Sequence, residues 1–478
     1  CDWLKAWLGS KPAPLKLKPN AAMAEISFRS CAAEFVGTFL LVLVVGCNVL
    51  SVNPNWGGVS IASVLMVSVY ALGKVSGANF NPAVSFALGL AGKMEQGFRQ
   101  VAVYCAVQVL AGLMASFTYA LLFGAVFNIG PTRGFIWWQA MLCELLYSMM
   151  LCFVVLNTAA SKKLEGNQFF GLAIGFVIVA GAYGPGAVSG GCFNPAVAIG
   201  IDAVSVSEGF GWCVVYAAFE FAGAALAVAA FWLMRPEEKK DLAPPEEYPL
   251  PARLVSEALG TFMLVVTVGL NVLVASKAAA FSIAASLMCM IYACGDVSGA
   301  HFNPAVTLAI FSSGRGKISP HDAGLYTAVQ IGAGIVAGMT YEAVHSGMTF
   351  PLGPGEGFNW GSVMVAEVIF TFVLCFVVLC VATTEKQPAP QFVGLAIGSC
   401  ITVGGLAIGK VSGGSLNPAV SLGVALVRKV FGGGSLWKGM VYIIFEVMGA
   451  GLAAGVFRLT HPEEFVRGKD SKGEPLNA

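Results

Sequence analysis

Ser76-Gly77-Ala78-Asn79-Phe80-Asn81-Pro82-Ala83-Val84 decides how this chain is read, because it occurs four times. The other copies are Ser189-Gly190-Gly191-Cys192-Phe193-Asn194-Pro195-Ala196-Val197, Ser298-Gly299-Ala300-His301-Phe302-Asn303-Pro304-Ala305-Val306 and Ser412-Gly413-Gly414-Ser415-Leu416-Asn417-Pro418-Ala419-Val420. All share Ser-Gly and, at one offset, Asn-Pro-Ala-Val. Asn is a favoured helix N-cap, and Pro suits the first helical position, where its missing N–H would have no partner anyway. The Ser-Gly ahead of them permits a non-helical approach. Each copy therefore predicts a helix starting at Pro82, Pro195, Pro304 or Pro418, with an Asn at its tip. The apolar run that follows is roughly 8–10 residues, against the ~20 that cross a bilayer. A re-entrant half-helix is the expectation. One Asn-Pro-Ala would be an ordinary helix start, but four at matched spacing are not chance.

The surrounding chain is that of a polytopic membrane protein. Of its 478 residues 57% are hydrophobic and 11% charged, with a mean hydropathy of +0.78; soluble proteins carry about 25% charged residues. A net charge of +1 gives no sign of a nucleic-acid partner. Thirteen Cys, among them Cys47, Cys105, Cys152 and Cys380, are scattered through apolar runs without metal-ligand spacing. They read as buried thiols, and no metal or cofactor is implied. Residues 1–27 are mixed, with Lys5, Lys11, Lys16 and Lys18, and lack a signal peptide's apolar core.

Spanning segments are expected at about 31–50, 58–75, 99–124, 136–160, 169–185 and 210–234. A polar, Pro-rich linker, 235–251, follows. Six more are expected at about 253–275, 279–296, 322–346, 361–382, 392–409 and 437–459. The fold class is thus an all-α membrane protein: domains at 28–234 and 252–460, twelve spans, four half-helices, and a polar tail at 461–478.

The repeat is double. Glu34 and Glu257 stand 223 residues apart, Asn81 and Asn303 222, Asn194 and Asn417 223. Within each half, Glu34 to Glu144 and Glu257 to Glu367 are both 110, while Asn81 to Asn194 is 113 and Asn303 to Asn417 is 114. Each half is two three-span units, and an odd span count inverts the second. Inverted repeats build a site near the midplane from broken helices. Basic residues place the amino-terminal segment, the linker (Arg235, Lys239, Lys240), Lys162 with Lys163, and the tail (Arg467, Lys469, Lys472) on one face, expected to be cytoplasmic. Arg428 and Lys429 run against that bias.

In each half two half-helices then meet tip to tip, Asn81 with Asn194 and Asn303 with Asn417. A capping Asn accepts from its own helix and still offers its NH₂ to a lumen. Helix N-termini carry about half a positive charge, so two of them at one point repel cations and donate to neutral oxygens.

These paired motifs between inverted three-span units resemble the aquaporin, or major intrinsic protein, family over about 28–460, as two members fused in tandem. The resemblance implies a six-span bundle and one pore per half, lined at the motifs by Asn81-Pro82-Ala83, Asn194-Pro195-Ala196, Asn303-Pro304-Ala305 and Asn417-Pro418-Ala419. It also implies a membrane-embedded homodimer with four pores, carrying water or small neutral solutes without catalysis. The family's Arg after the second motif is absent; Val197 and Val420 stand there. The other outer-filter positions implied are Ile61, Ala182 and Gly191 in the first half, and Ile283, Gly405 and Gly414 in the second. Both filters are aliphatic and without aromatic, His or Arg, which leaves polarity to backbone carbonyls.

Acids inside spans are functional candidates by default. The resemblance gives Glu34, Glu144, Glu257 and Glu367 a structural role as acceptors for the re-entrant loops, against a proton relay. Glu220 and Glu446 match Gln108 and Gln330 in the inverted units and read as one packing slot, a Glu there being protonated or paired. Cys192 lies near the first pore's mouth as inert packing or a mercurial target; His301 lacks a second metal-ligand type nearby. Lys74 and Asp296 are equivalent positions of opposite charge at the inner mouths, either biasing the two pores or merely solvated. Gly112 with Ala115, Gly332, Gly334, Gly338, Gly449, Gly451 and Gly455 suggest close helix packing. Two rival classes are a secondary transporter, which also uses inverted repeats, and a structural protein with pores closed by dewetting at the aliphatic filters.

Overall fold

The computed structural model describes residues 26–465. The amino-terminal lysines and the tail's Arg467, Lys469 and Lys472, on which part of the orientation rests, lie outside the described residues. The first half runs α1 (Phe28–Leu50), α2 (Gly57–Ser76), half-helix α3 (Pro82–Leu90), α4 (Gly97–Phe123), α5 (Trp137–Thr158), α6 (Phe170–Ala182), α7 (Gly186–Ser189), half-helix α8 (Pro195–Val204) and α9 (Trp212–Met234). After a single turn, α10 (Pro236–Lys239), the second half repeats it. It comprises α11 (Leu250–Leu273), α12 (Ala279–Ser298), half-helix α13 (Pro304–Ser312), α14 (Pro320–Val344), α15 (Trp360–Ala382), α16 (Val393–Ser412), half-helix α17 (Pro418–Gly432) and α18 (Trp437–Thr460).

Eleven of the described helices are long and apolar enough to cross a membrane. The twelfth span is broken. α6 stops after 13 residues, and Tyr183-Gly184-Pro185 intervenes before α7 resumes for four. Pro185 has no N–H to donate, and its ring collides with the carbonyl four residues back. Ile408 holds the matching place in α16, which runs unbroken for 20 residues. The half-helices also differ. Three have 9, 10 and 9 residues, whereas α17 has 15. Lys429 in its last turn suits the negative helix end, and Gly433 at φ 66° closes it.

Glycines let the half-helices approach. A Cβ on Gly112 would overlap the carbonyl oxygen of Ala196, and one on Gly334 that of Ala419. Gly338 and Gly449 are equally crowded, but Gly332, Gly451 and Gly455 face open space, against the packing expected of them.

Within the chain, α5 and α6 of the first half pack against α11 and α12 of the second. Tyr147 and Thr267 share a hydrogen bond of 2.7 Å, Ser282 donates to the Ala180 carbonyl at 2.8 Å, and Phe169 stacks on Tyr292 at 4.4 Å. A Cβ on Gly184 would lie 2.7 Å from the Asn271 nitrogen, so the broken span also seats against the second half. The linker begins with a buried charge. Arg235 is fully buried because its charge is met: Asp296 takes two of its N–H groups at 2.7 and 2.8 Å, Asn157 one at 2.7 Å and Tyr248 one at 2.7 Å. Asp296 is therefore half of an ion pair between the halves, whereas Lys74 lines an inner vestibule.

Candidate functional site: two cavities at the half-helix tips

Each tip is built the same way. Asn81, Asn194, Asn303 and Asn417 hold extended φ values between −153° and −158°. Each Oδ1 accepts the amide of the motif alanine at 2.8–3.0 Å. Each Nδ2 donates across the half to the opposite loop: Asn81 to the Phe193 carbonyl at 2.8 Å, Asn194 to Phe80 at 3.0 Å, Asn303 to Leu416 at 2.8 Å and Asn417 to Phe302 at 3.0 Å. The Asn pairs thus form within halves, and one N–H of each amide is spent on the partner loop. The second N–H is the one left for the cavity.

The loops that deliver these tips are bent through left-handed backbone. Ala78 and Phe80 have φ of 52°, Ala300 and Phe302 49° and 50°, Phe193 53° and Leu416 55°. Successive amides in such a bend converge on an anion, and the span acids provide it. Glu34 accepts from Asn79 N (3.0 Å), Phe80 N (2.8 Å), Ser76 (2.6 Å) and Gln108 (2.8 Å). Glu257 accepts the same set from His301, Phe302, Ser298 and Gln330. Glu144 takes Ser189, Cys192 N and Phe193 N, and Glu367 takes Ser412, Ser415 N and Leu416 N. The residue before each capping Asn is the loop's apolar anchor. Phe80 lies on Gly37, Phe302 on Gly260, Phe193 on Gly181 and Leu416 on Gly404. Those glycines, four residues of one type at repeat spacing, were the available signal for this packing.

Two cavities open above the tips, of about 320 Å³ in the first half and about 410 Å³ in the second. The first is lined by Ile61, Ala182, Gly191 and Val197 together with Asn81 and Asn194. The second is lined by Ile283, Gly405, Gly414 and Val420 with Asn303 and Asn417. All eight filter positions are brought to the cavities. Of the Asn-Pro-Ala triplets, only the asparagines line them, joined by the valine that follows each triplet. Ala83, Ala196, Ala305 and Ala419 are wholly buried, and Pro82, Pro195, Pro304 and Pro418 are buried beside them as the first residues of their helices, so these eight do not line the cavities. An inner vestibule of the first half, lined by Lys74 and Ser76, shares Asn79 and Val155 with the outer cavity.

The lining is less bare than the four positions suggest. Asn48 and Asn53 add side-chain amides to the first cavity, and Asn271 and Ser276 add polar groups to the second. Tyr183 brings an aromatic ring to the first cavity, its hydroxyl donating to the Asn55 carbonyl at 2.7 Å. Its counterpart Leu406 is 63% exposed on the outside of the second half. Phe350, Pro351 and Leu352 fold over the second cavity instead. Cys192 lines the first cavity with its thiol 3.2 Å from the Asn194 carbonyl, and His301 lines the second, bonded to Thr307 at 3.1 Å.

A sequence profile of the family described as major intrinsic protein matches the chain twice, over 22–231 and 246–457. Aquaporin NIP2-1 of Oryza sativa subsp. japonica is 38% identical over 249 residues, 49% of this chain and 76% of the relative. Putative aquaporin NIP4-1 of Arabidopsis thaliana is 33% identical over 227 residues, 44% of this chain and 76% of the relative. Among solved structures, the aquaglyceroporin from Plasmodium falciparum aligns with 45% of this chain and 98% of its own, at 19% identity and a TM-score of 0.39.

Proposed function

This chain belongs to the major intrinsic protein family, once in each half, and from that premise we propose that each half is a separate passive pore with an aliphatic outer filter. The chain is a multi-pass membrane channel for water or small solutes and not an enzyme. The observation that carries the finer reading is the lining of the cavities. Val197 and Val420 face them beside Gly191 and Gly414, where a bulky guanidinium would otherwise stand. Valine offers neither the five fixed donors nor the permanent charge of Arg. The outer constriction is thus wider and less polar than an Arg filter, and uncharged solutes larger than water meet less resistance. Ion exclusion falls to the Asn pairs and the helix N-termini. The four span acids are structural acceptors in this reading, since loop amides and a serine occupy each of them, joined at Glu34 and Glu257 by a glutamine.

We further propose that the linker and both termini lie on the cytoplasmic face and that two chains form a ring of four pores. The support is the repetition of the interface. α5 and α6 are met by α11 and α12 inside the chain, while the matching faces of α15 and α16 and of α1 and α2 are bare. The apolar window of α12 is 78% buried and that of α2 28%; for α5 and α15 the values are 83% and 44%.

The test is Val197→Arg combined with Val420→Arg, compared with wild type in proteoliposomes by stopped-flow for water, glycerol, urea and ammonia. Permeability to the larger neutral solutes should fall more than that to water, with size-exclusion behaviour unchanged. If the wild type passes water alone and Arg changes nothing, these valines do not form the filter.

A further inference from the structure

The two units of each half treat their span acid differently. In the first unit the acid has an amide neighbour. Gln108 Nε2 donates to Glu34 at 2.8 Å and to Ser85 at 3.0 Å, and Gln330 Nε2 donates to Glu257 at 2.9 Å and to Thr307 at 3.0 Å. In the inverted unit the neighbour is itself an acid, Glu220 or Glu446. Both are fully buried. Glu220 Oε1 accepts Asn194 N at 2.8 Å; Glu446 Oε1 accepts Asn417 N at 3.0 Å and Ser421 at 2.8 Å. The second oxygen of each, Oε2, has no partner. The two acids of each inverted unit stand side by side, because they hold consecutive amides of one loop: Phe193 N goes to Glu144 and Asn194 N to Glu220, Leu416 N to Glu367 and Asn417 N to Glu446.

Two carboxylates side by side, out of water and without a cation, cannot both stay ionised. Glu144 and Glu367 are each fixed as acceptors by two amides and a serine. The missing donor must come from the neighbour, as it does from the amide of Gln108. We infer that Glu220 and Glu446 each carry a proton directed at Glu144 and Glu367, so that a titratable latch lies directly behind the pore residues Asn194 and Asn417.

No cation meets either acid among the described residues. Around Glu220 the titratable groups are Glu144, Cys192, Cys152 and Tyr216; around Glu446 they are Glu367, Cys375 and Tyr442. Lys438 and Arg458 lie at the two ends of α18, away from Glu446, and further charged groups nearby meet partners of their own. Asp202 holds the amides of Gly211 and Cys213, Arg253 pairs with Asp322, Glu257 holds its own loop, Glu237 takes Tyr248 and Glu238 pairs with Lys93. Lys239 lies over Trp232, and Glu464 pairs with Arg315 while Glu463 is exposed. Arg428 and Lys429 sit at the far end of α17 from Asn417. Removing the shared proton would set charge against charge and release the amides of Asn194 and Asn417.

The experiment uses the full chain in bilayers, as wild type and as Glu220→Gln with Glu446→Gln. Glutamine fits the slot, since Gln108 and Gln330 already fill it in the same molecule. At neutral pH the infrared spectrum of the wild type should contain the carbonyl stretch of a buried carboxylic acid that the double variant loses. Equal spectra in this region overturn the inference. The latch's effect on transport rests on the channel reading. Permeability of the wild type should fall on the alkaline side while the variant's stays level, and parallel profiles overturn the latch. If neither protein conducts, the channel reading fails, yet the infrared comparison still decides the proton.

Discussion

Non-glycine residues in left-handed backbone cost of order 1–3 kcal/mol each, and Ala78 and Phe80 both sit at φ of 52°. Glu34 is what keeps them there, by accepting the amides of Asn79 and Phe80. Glu34→Ala takes the acceptor from two buried N–H groups and a serine, and leaves Gln108 with Ser85 alone. The expected loss is about 2–4 kcal/mol, measured by thermal unfolding in detergent; Glu34→Gln should lose less because it keeps a carbonyl oxygen. An unchanged melting temperature in Glu34→Ala would remove the acid from this role. Capping by Asn81 was legible because it is local: the side chain bonds an amide two residues ahead. Tyr183, Asn53 and Phe350 were not, because each reaches a cavity through a loop or a turn whose path no short spacing encodes.

Elements are tied at their ends by the same charge pattern in each half. Lys93, just past α3, pairs with Glu238 in α10 at 2.5 Å, and Arg315, just past α13, pairs with Glu464 at 2.9 Å. Burial pushes the Glu238 carboxyl up, but Lys93 and the Lys162 amide outweigh it and hold it below the ordinary range. A depressed acid stabilises the fold above its ordinary value of about 4.3 and ceases to do so as pH falls through its lower folded value. Glu238→Gln should therefore melt earlier than wild type at neutral pH, and the gap should close in acid. A gap that persists at low pH would mean that the pair contributes no charge interaction. The spans themselves were plain from hydropathy and repeat spacing, since long apolar runs admit few alternatives in a membrane. The break at Tyr183-Gly184-Pro185 leaves the repeat spacing unchanged, since Gly171 to Asn194 and Gly394 to Asn417 are both 23 residues. Equal chain length hides unequal backbone. Likewise Gly332, Gly451 and Gly455 looked like packing residues by type, and only the bundle shows that nothing lies against them.

At the scale of the molecule, the proposed ring of four pores would seat a second chain on the bare faces of α1, α2, α15 and α16. Exposed Val67, Val75, Ile369 and Leu395 lie on those helices. Native mass measured in a mild detergent should give two chains; a lone chain as the stable species would remove the ring of four pores. Charged substitution of Val67 and Ile369 to Glu should shift that mass to one chain while leaving the internal contact, held by Arg235 and Asp296, in place. The internal contact has a further consequence. The two cavities differ in volume and in lining, yet they are encoded in one polypeptide. Their stoichiometry is therefore fixed at one to one, whatever the level of expression. If both halves conduct as proposed, a cell that makes this protein cannot raise the dosage of one pore without the other, and a bulk flux sums the two at equal copy number. Divergence between them can accumulate by mutation in either half without a second gene having to keep pace.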